Sequence, residues 1–329
     1  MDSIKIDKII RISKPADHAA FTDLHKNPFD ASDNTLFCCY RQARNHVSPD
    51  GVIIIVKLSK VNFQVITRER LILPDFDLRD PKFSFDGSRL LVTAFAKTNI
   101  ADGNRQTKMV SFVSTNGFSW SSTNSFGKTG WWLWNHAWKK GEAFGFAYNR
   151  AAQFISLYKG DPTRSMKVYQ ENVFGLLKSQ KGYPNESAFL FDSNENALVF
   201  LRRDADSFSA QFGTSSAPYV KWQWHDLGIY IGGPAAVALD DNNILVAGRH
   251  IDWNKRSFTT RLWHFNTKTK SLTELLVLPS SGDTSYPGLV LEGDTLYMSY
   301  YSCHVDNQAR VYLAKLTGVS MCKTHTKTT

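Results

Sequence analysis

Six tight-turn signals, each leading into an apolar run, recur along this chain, and no other feature constrains its fold as strongly. They are Pro49-Asp50-Gly51, Asp86-Gly87-Ser88, Lys140-Gly141-Glu142, Asn194-Glu195-Asn196, Asp241-Asn242-Asn243 and Glu292-Gly293-Asp294. Residues of these types reverse a chain at low steric cost. The runs that follow are Val52–Leu58, Leu90–Ala96, Ala143–Tyr148, Ala197–Arg203, Ile244–Arg249 and Leu296–Tyr301. Most turns also have a β-rich segment before them, so the repeating unit reads as a hairpin. Further strands are expected at Val65–Leu71, Met109–Ser114, Phe154–Tyr158, Thr260–Phe265 and Val311–Leu316, and helical periodicity is nearly absent. The turns recur at intervals of about 36 to 54 residues, the period of a propeller blade. The sequence therefore predicts an all-β fold, a six-bladed β-propeller forming one domain over residues 1–329. A β-sandwich ranks second, because its units would be shorter and less regular. Thr35–Tyr40 is expected to join the last blade and close the ring, since closure removes exposed strand edges. Residues 317–329 read as a disordered tail.

Composition narrows the function classes. A hydrophobic share of 42% with 21% charged residues excludes wholesale disorder. The net charge of +9 invites an acidic partner. Lys and Arg are spread along the chain without a dense basic tract or a nucleic-acid-binding module, which argues against nucleic acid and leaves an anionic sugar. Aromatic residues at 13% suit both β-cores and sugar-stacking surfaces. Cys38, Cys39, Cys303 and Cys322 form no CxxC pair and no metal-ligand spacing, so free thiols are expected, with neither metal nor cofactor. The N-terminus lacks the apolar stretch of a signal peptide, and no run is long enough to span a bilayer. A cytoplasmic location is the default expectation, and a secreted mature form is the other case. The oligomeric state is left open.

Propeller geometry then gives a rule for locating a site. In each blade the innermost strand runs from one face to the other and the second strand returns. Residues just before strand one and just after strand two therefore share a face around the axis. Arg41, Asp80, Glu186 and Tyr286 are expected at the starts of inner strands in blades one, two, four and six. Arg202 and Arg249 are expected at the ends of returning strands in blades four and five. All six should meet in one mouth. Any one of them alone reads as a surface salt-bridge residue, and convergence from five blades is what marks a site. Trp134 is a candidate for a sugar-stacking platform, and Tyr301, at the end of a returning strand, for a glycan contact.

These segments resemble the sialidase (neuraminidase) family. Tyr40-Arg41, followed by Ser48-Pro49-Asp50-Gly51, is similar to the family's Tyr-Arg-Ile-Pro opening. Asn185-Glu186, Arg202, Gly248-Arg249 and Ser285-Tyr286-Pro287 follow in the family's order, and Ser114-Thr115-Asn116-Gly117-Phe118-Ser119-Trp120 resembles a degraded Asp-box. Asp77-Leu78-Arg79-Asp80-Pro81, Trp132-Leu133-Trp134, Ile231-Gly232-Gly233-Pro234 and Gly282-Asp283-Thr284-Ser285-Tyr286-Pro287-Gly288 look most like uncharacterised bacterial sialidase-like propellers. The likeness spans residues 35–316.

The resemblance implies an exo-glycoside hydrolase that releases a terminal sialic acid or related acidic nonulosonic sugar from sialylated or acidic-sugar glycans. Arg41, Arg202 and Arg249 would clamp the carboxylate that such a sugar carries on its anomeric carbon. A carboxylate nucleophile would be repelled by that group, whereas a tyrosine arrives uncharged. Tyr286 is thus the expected nucleophile and Glu186 its base, giving retention through a tyrosyl-glycosyl intermediate. The family carries an acid on the loop after the first blade's second strand, but Leu58-Ser59-Lys60-Val61-Asn62 offers no carboxylate. Asp80 is the expected substitute, with His46 or Asp50 as others. Two further readings stand beside this one. They are a non-catalytic glycan-binding propeller, and a neutral-sugar glycosidase using Asp80 and Glu186 as a carboxylate pair.

Overall fold

The computed structural model describes residues 4–30, 32–98, 106–121 and 124–323. It contains β1 (Lys5–Arg11) and then six consecutive groups of strands. Blade one is β2 (His18–Lys26), β3 (Thr35–Ala43), β4 (Val52–Ser59) and β5 (Val65–Leu71). Blade two is β6 (Phe76–Phe85), β7 (Leu90–Thr98), β8 (Thr107–Ser114) and β9 (Asn124–Phe126). Blade three is β10 (Trp132–Lys139), β11 (Glu142–Asn149), β12 (Phe154–Asp161) and β13 (Ser165–Gly175). Blade four is β14 (Pro184–Phe191), β15 (Ala197–Arg203), β16 (Gln211–Ser215) and β17 (Gln223–Asp226). Blade five is β18 (Gly232–Ala238), β19 (Asn243–Asp252), β20 (Ser257–Asn266) and β21 (Leu272–Val277). Blade six is β22 (Ser285–Glu292), β23 (Thr295–Ser302) and β24 (Arg310–Thr317), completed on its outer edge by β1. The six inner strands touch their neighbours in cyclic order. The fold is a six-bladed β-propeller, as the turn repeat predicts. Helix among the described residues is limited to Leu176–Ser179 and the 3-10 turn Val319–Lys323.

The ring closes differently from the expectation. Thr35–Tyr40 lies in β3, the second strand of blade one, and the closing strand is β1, antiparallel to β24 from Lys5 opposite Thr317 to Arg11 opposite Tyr312. Burial explains the difference. Eight of the nine residues of β3 are buried, as an interior strand requires, whereas β1 is exposed or half-buried throughout, as an outer strand covering an edge can be. Pro49-Asp50-Gly51 accordingly joins strands two and three of its blade, while the other five turns join strands one and two. At the other end, Val319 and Cys322 are buried in the 3-10 turn, so the chain stays packed beyond residue 317; residues 324–329 lie outside the described residues.

Apolar clusters fill the spaces between blades. Phe37, Cys39, Ile53 and Ile55 of blade one pack on Leu78, Leu90 and Val92 of blade two, and Phe200 and Phe212 of blade four pack on Phe265 of blade five. Each such side chain contributes roughly 1.5–3 kcal/mol by leaving water. Toward the axis the inner strands are polar and tie adjacent blades together. Thr22 Oγ1 donates to the Tyr286 carbonyl at 2.8 Å, Lys82 Nζ to the Thr22 carbonyl at 3.0 Å, and the Phe83 amide to Asp23 Oδ2 at 2.7 Å.

Every inner strand also carries one β-bulge near its start, where two residues oppose one on the returning strand. The paired residues are Phe21-Thr22, Asp80-Pro81, Trp134-Asn135, Asn185-Glu186, Gly233-Pro234 and Tyr286-Pro287. A bulge re-aims a side chain that regular pleating would send into the blade. Four of these positions are left-handed: Phe21 (φ 59°), Asp80 (47°), Gly233 (56°) and Tyr286 (50°). Non-glycine residues rarely hold this conformation, and it clusters where function constrains the backbone.

Candidate active site

The ring of bulges delivers Tyr286, Glu186 and Asp80 to the same face. The Tyr286 hydroxyl donates to Glu186 Oε1 at 2.7 Å, and Arg202 Nη1 reaches both the Tyr286 oxygen at 2.7 Å and Glu186 Oε2 at 2.6 Å. Arg202 is fixed from behind by Asp204, which accepts from Nε and pairs with Nη2 at 2.9 Å each. Asn185 Nδ2 holds Asp204 in turn at 2.9 Å. The Gly233 amide gives Glu186 Oε2 another hydrogen bond at 2.7 Å. Burial pushes the Tyr286 hydroxyl well above the ordinary phenol range, Arg202 pulls it down and Glu186 pushes it up. The resting group is therefore a neutral phenol, hydrogen-bonded to its acceptor.

Gly233 is needed for this contact. Its left-handed φ suits glycine, and a Cβ there would lie 2.7–3.0 Å from three ring atoms of Tyr286. Gly233→Ala is expected to cost about 1–2 kcal/mol for the backbone alone and to displace the phenol from Glu186. Thermal unfolding and turnover measured together check this, and an unchanged turnover would show that the ring position does not matter.

Arg249 occupies the other side of Tyr286, with its guanidinium 5.1 Å from the ring centre. It donates to the Thr284 carbonyl at 2.9 Å, to Asp283 Oδ1 at 2.8 Å and to the Tyr301 hydroxyl at 2.9 Å. Tyr301 is fully buried and donates to Asp283 Oδ1 at 2.8 Å, so it positions Arg249 and does not face a glycan as expected.

Asp80 lines a cleft of about 640 Å³ together with Glu186, Tyr286, Trp132, Trp134, Tyr148 and His46. Its Oδ1 is buried without a hydrogen-bond partner. Burial raises its pKa to about 6, against the pull of Arg79 and with a push from Glu186. Trp134 is 2% exposed, meets Tyr286 edge-on at 5.6 Å and has Lys82 over its ring at 5.4 Å. It therefore supports Tyr286 more than it offers a face to a sugar. His46 is half-exposed and donor or acceptor to Asp283 Oδ2 at 2.7 Å. Asp50 pairs with Arg44 at the surface.

Arg41 requires a correction. It lies at the end of a returning strand, not the start of an inner one, and its side chain is 0% exposed. All three guanidinium nitrogens are occupied, by Asp77 Oδ1 at 2.9 and 3.0 Å and by the Asn45 and Ser48 carbonyls at 3.0 and 2.7 Å. A Cβ on Gly51 would lie 2.0 Å from Asp77 Oδ1, so the glycine makes room for this sealed pair. Arg41 thus joins blade one to blade two, and its guanidinium is fully engaged by protein partners. Sequence reasoning missed the cations that do line the cleft, Arg79, Lys97 and Arg150. Arg79 was signalled only by adjacency to Asp80. It also missed Asp204, two residues beyond Arg202. A groove of about 650 Å³ at the opposite end of blades four and five, lined by Asp192, Asp241 and Lys270 among others, holds none of the grouped carboxylate, phenol and guanidinium side chains.

The six four-stranded blades with their bulged inner strands make a six-bladed propeller of the sialidase-like fold. Particular solved structures share it at low identity. A Dyadobacter fermentans protein of unknown function aligns with a TM-score of 0.76 and 17% identity over 96% of this chain and 100% of its own. A Trypanosoma rangeli sialidase mutant displaying trans-sialidase activity aligns with a TM-score of 0.65 and 13% identity, over 94% of this chain and 56% of its own. A Penicillium chrysogenum α-L-arabinanase aligns with a TM-score of 0.67 and 14% identity, over 96% and 99%. No protein-family profile and no curated protein matches the chain. No helix among the described residues is long and apolar enough to cross a membrane.

Proposed function

We propose that this propeller is a retaining exo-glycoside hydrolase in which Tyr286 is the nucleophile, Glu186 its base and Asp80 the general acid. The observation that carries the reading is the Tyr286–Glu186–Arg202 arrangement, with every contact at 2.6–2.7 Å. Tyr286 attacks the anomeric carbon as its proton passes to Glu186 Oε1, and Arg202 stabilises the oxygen while charge develops there. Asp80, whose pKa burial raises to about 6, donates its proton to the leaving-group oxygen. The same carboxylate then takes a proton from water, which cleaves the tyrosyl-glycosyl bond and restores Tyr286 from Glu186.

A nucleophile that starts uncharged fits a sugar with a carboxylate on its anomeric carbon, and Arg79, Lys97 and Arg150 make the cleft wall attractive to anions. An acidic nonulosonic glycoside is the substrate class this favours. A second reading is favoured by a specific observation. Arg41 is sealed by Asp77, and Arg202 and Arg249 are already paired with Glu186, Asp204 and Asp283. The clamp therefore needs no substrate anion to balance it, and Asp80 with Glu186 then fits a neutral sugar, the substrate class suggested by the arabinanase among the similar folds. A panel of aryl glycosides of acidic nonulosonic acids and of neutral pentoses and hexoses tests this directly. Turnover confined to the acidic members is expected, turnover confined to the neutral ones selects the second reading, and binding without turnover of any member sinks the hydrolase.

A further inference from the structure

We propose that His18, His46 and Asp283 form a binding site for one divalent transition-metal ion of the zinc type, at the rim of the cleft where the first and last blades meet. His18 opens the inner strand of blade one, His46 lies on the loop after its second strand, and Asp283 precedes the inner strand of blade six. One donor atom from each lies within 4.8 Å of the other two. His46 Nδ1 is 2.7 Å and His18 Nε2 3.5 Å from the same oxygen, Asp283 Oδ2. No spacing in the sequence signals this group, because the ring brings the two ends of the chain together only after folding.

The two oxygens of Asp283 have separate partners, which leaves Oδ2 to the histidines. Asp283 is already neutralised through its other oxygen, which accepts from Arg249 at 2.8 Å and from Tyr301 at 2.8 Å. Two imidazole nitrogens directed at one carboxylate oxygen bring together the donor types that a Lewis acid accepts. His18 gives the independent sign. Its side chain is only 10% exposed, Nδ1 makes no hydrogen bond, and Nε2 has only the long 3.5 Å contact to Asp283 Oδ2. Buried polar groups are rarely left in that state without a missing partner.

The donors are also held in place. Arg79 Nη2 donates to the His46 carbonyl at 2.8 Å, and Cys303 Sγ to the Asp283 carbonyl at 3.3 Å. These contacts fix the backbone that carries two of the three ligands. Two nitrogens and one carboxylate suit zinc and its first-row neighbours, whereas calcium and magnesium take oxygen ligands. Three protein ligands leave at least one position for water or a sugar oxygen, and His46 itself lines the cleft.

The test uses untagged full-length protein stripped with a chelator, then titrated calorimetrically with Zn²⁺ and spectroscopically with Co²⁺. One ion per chain is expected, with a rise in the unfolding temperature and little binding of Ca²⁺. His46→Ala should weaken Zn²⁺ binding by about a hundredfold or more without changing the unfolding temperature of the metal-free protein, since His46 is half-exposed. His18→Gln should weaken binding similarly, and Cys303→Ser should retain it. Absence of saturable Zn²⁺ binding overturns the site. So does binding that survives both histidine variants, binding that follows the Cys303 thiol, or Ca²⁺ bound as tightly as Zn²⁺.

Discussion

Tyr286→Phe is expected to lower turnover by about a thousandfold or more, a loss of at least about 4 kcal/mol of transition-state stabilisation, with ligand affinity nearly unchanged. The substitution removes one oxygen and leaves the ring. The ring is what packs on Phe21, Trp134 and the Arg249 guanidinium. Glu186 and Arg202 still hold each other at 2.6 Å, so no buried charge loses its partner. The fold should therefore persist, and the missing atom is the one that would bond to the anomeric carbon. A fluorinated acidic glycoside that accumulates glycosyl-enzyme should add one sugar mass to the peptide containing Tyr286 and none to those containing Glu186 or Asp80. Label on Glu186 or Asp80, with Tyr286→Phe still turning over, would select the carboxylate-pair mechanism on neutral sugars. Glu186→Gln separates the roles further, because it keeps the phenol and removes its proton acceptor. Its loss should fall to about 10²–10⁴-fold.

Much of this site is legible in the sequence because it rests on strand ends. A turn followed by an apolar run fixes where a returning strand begins, and its length then places Arg202 and Arg249 on the mouth side. The same arithmetic locates Asp80, Glu186 and Tyr286. Blade one defeats it. Its inner strand, His-Ala-Ala-Phe-Thr-Asp-Leu-His-Lys, has no apolar alternation, because Thr22 and Asp23 face the polar axis and bond to the neighbouring blades. Without that strand, the turn rule places Pro49-Asp50-Gly51 between the wrong pair of strands and Arg41 at the wrong end. The error hid His18 and Phe21, which occupy the place expected of Arg41. The Arg41–Asp77 pair is invisible in sequence for a different reason. Its partners sit on different blades, and only the missing Cβ of Gly51 gives them room. The bulges are hidden as well, although Asp80-Pro81, Gly233-Pro234 and Tyr286-Pro287 share a trace of them. In each, proline follows the left-handed residue, where regular ladder pairing has already lapsed.

Asp80→Asn should produce the most informative pH dependence, because burial gives Asp80 opposite effects on stability and catalysis. Its folded pKa of about 6 lies above the ordinary value of 3.8. Between those values the folded protein keeps a proton that the unfolded chain has released. Stability therefore falls as pH rises through this window and is flat above it, by an amount on the order of 2–3 kcal/mol. The neutral amide removes that dependence, so Asp80→Asn should match wild type near pH 4 and exceed it at pH 8 in denaturant titrations. The same substitution should have the opposite effect on catalysis, a loss. Wild-type kcat on alkyl glycosides should decline above about pH 6 as the acid ionises. Asp80→Asn should lose about 10²–10⁴-fold on these substrates and show no such decline. Aryl glycosides, whose leaving groups depart without a proton, should recover most of the loss. A variant that gains stability at pH 8 but keeps the wild-type pH–rate profile would leave Asp80 as a buried, strained carboxyl and move the acid elsewhere in the cleft. Equal losses on alkyl and aryl glycosides would show that Asp80 serves the cleft by shape and not by proton transfer.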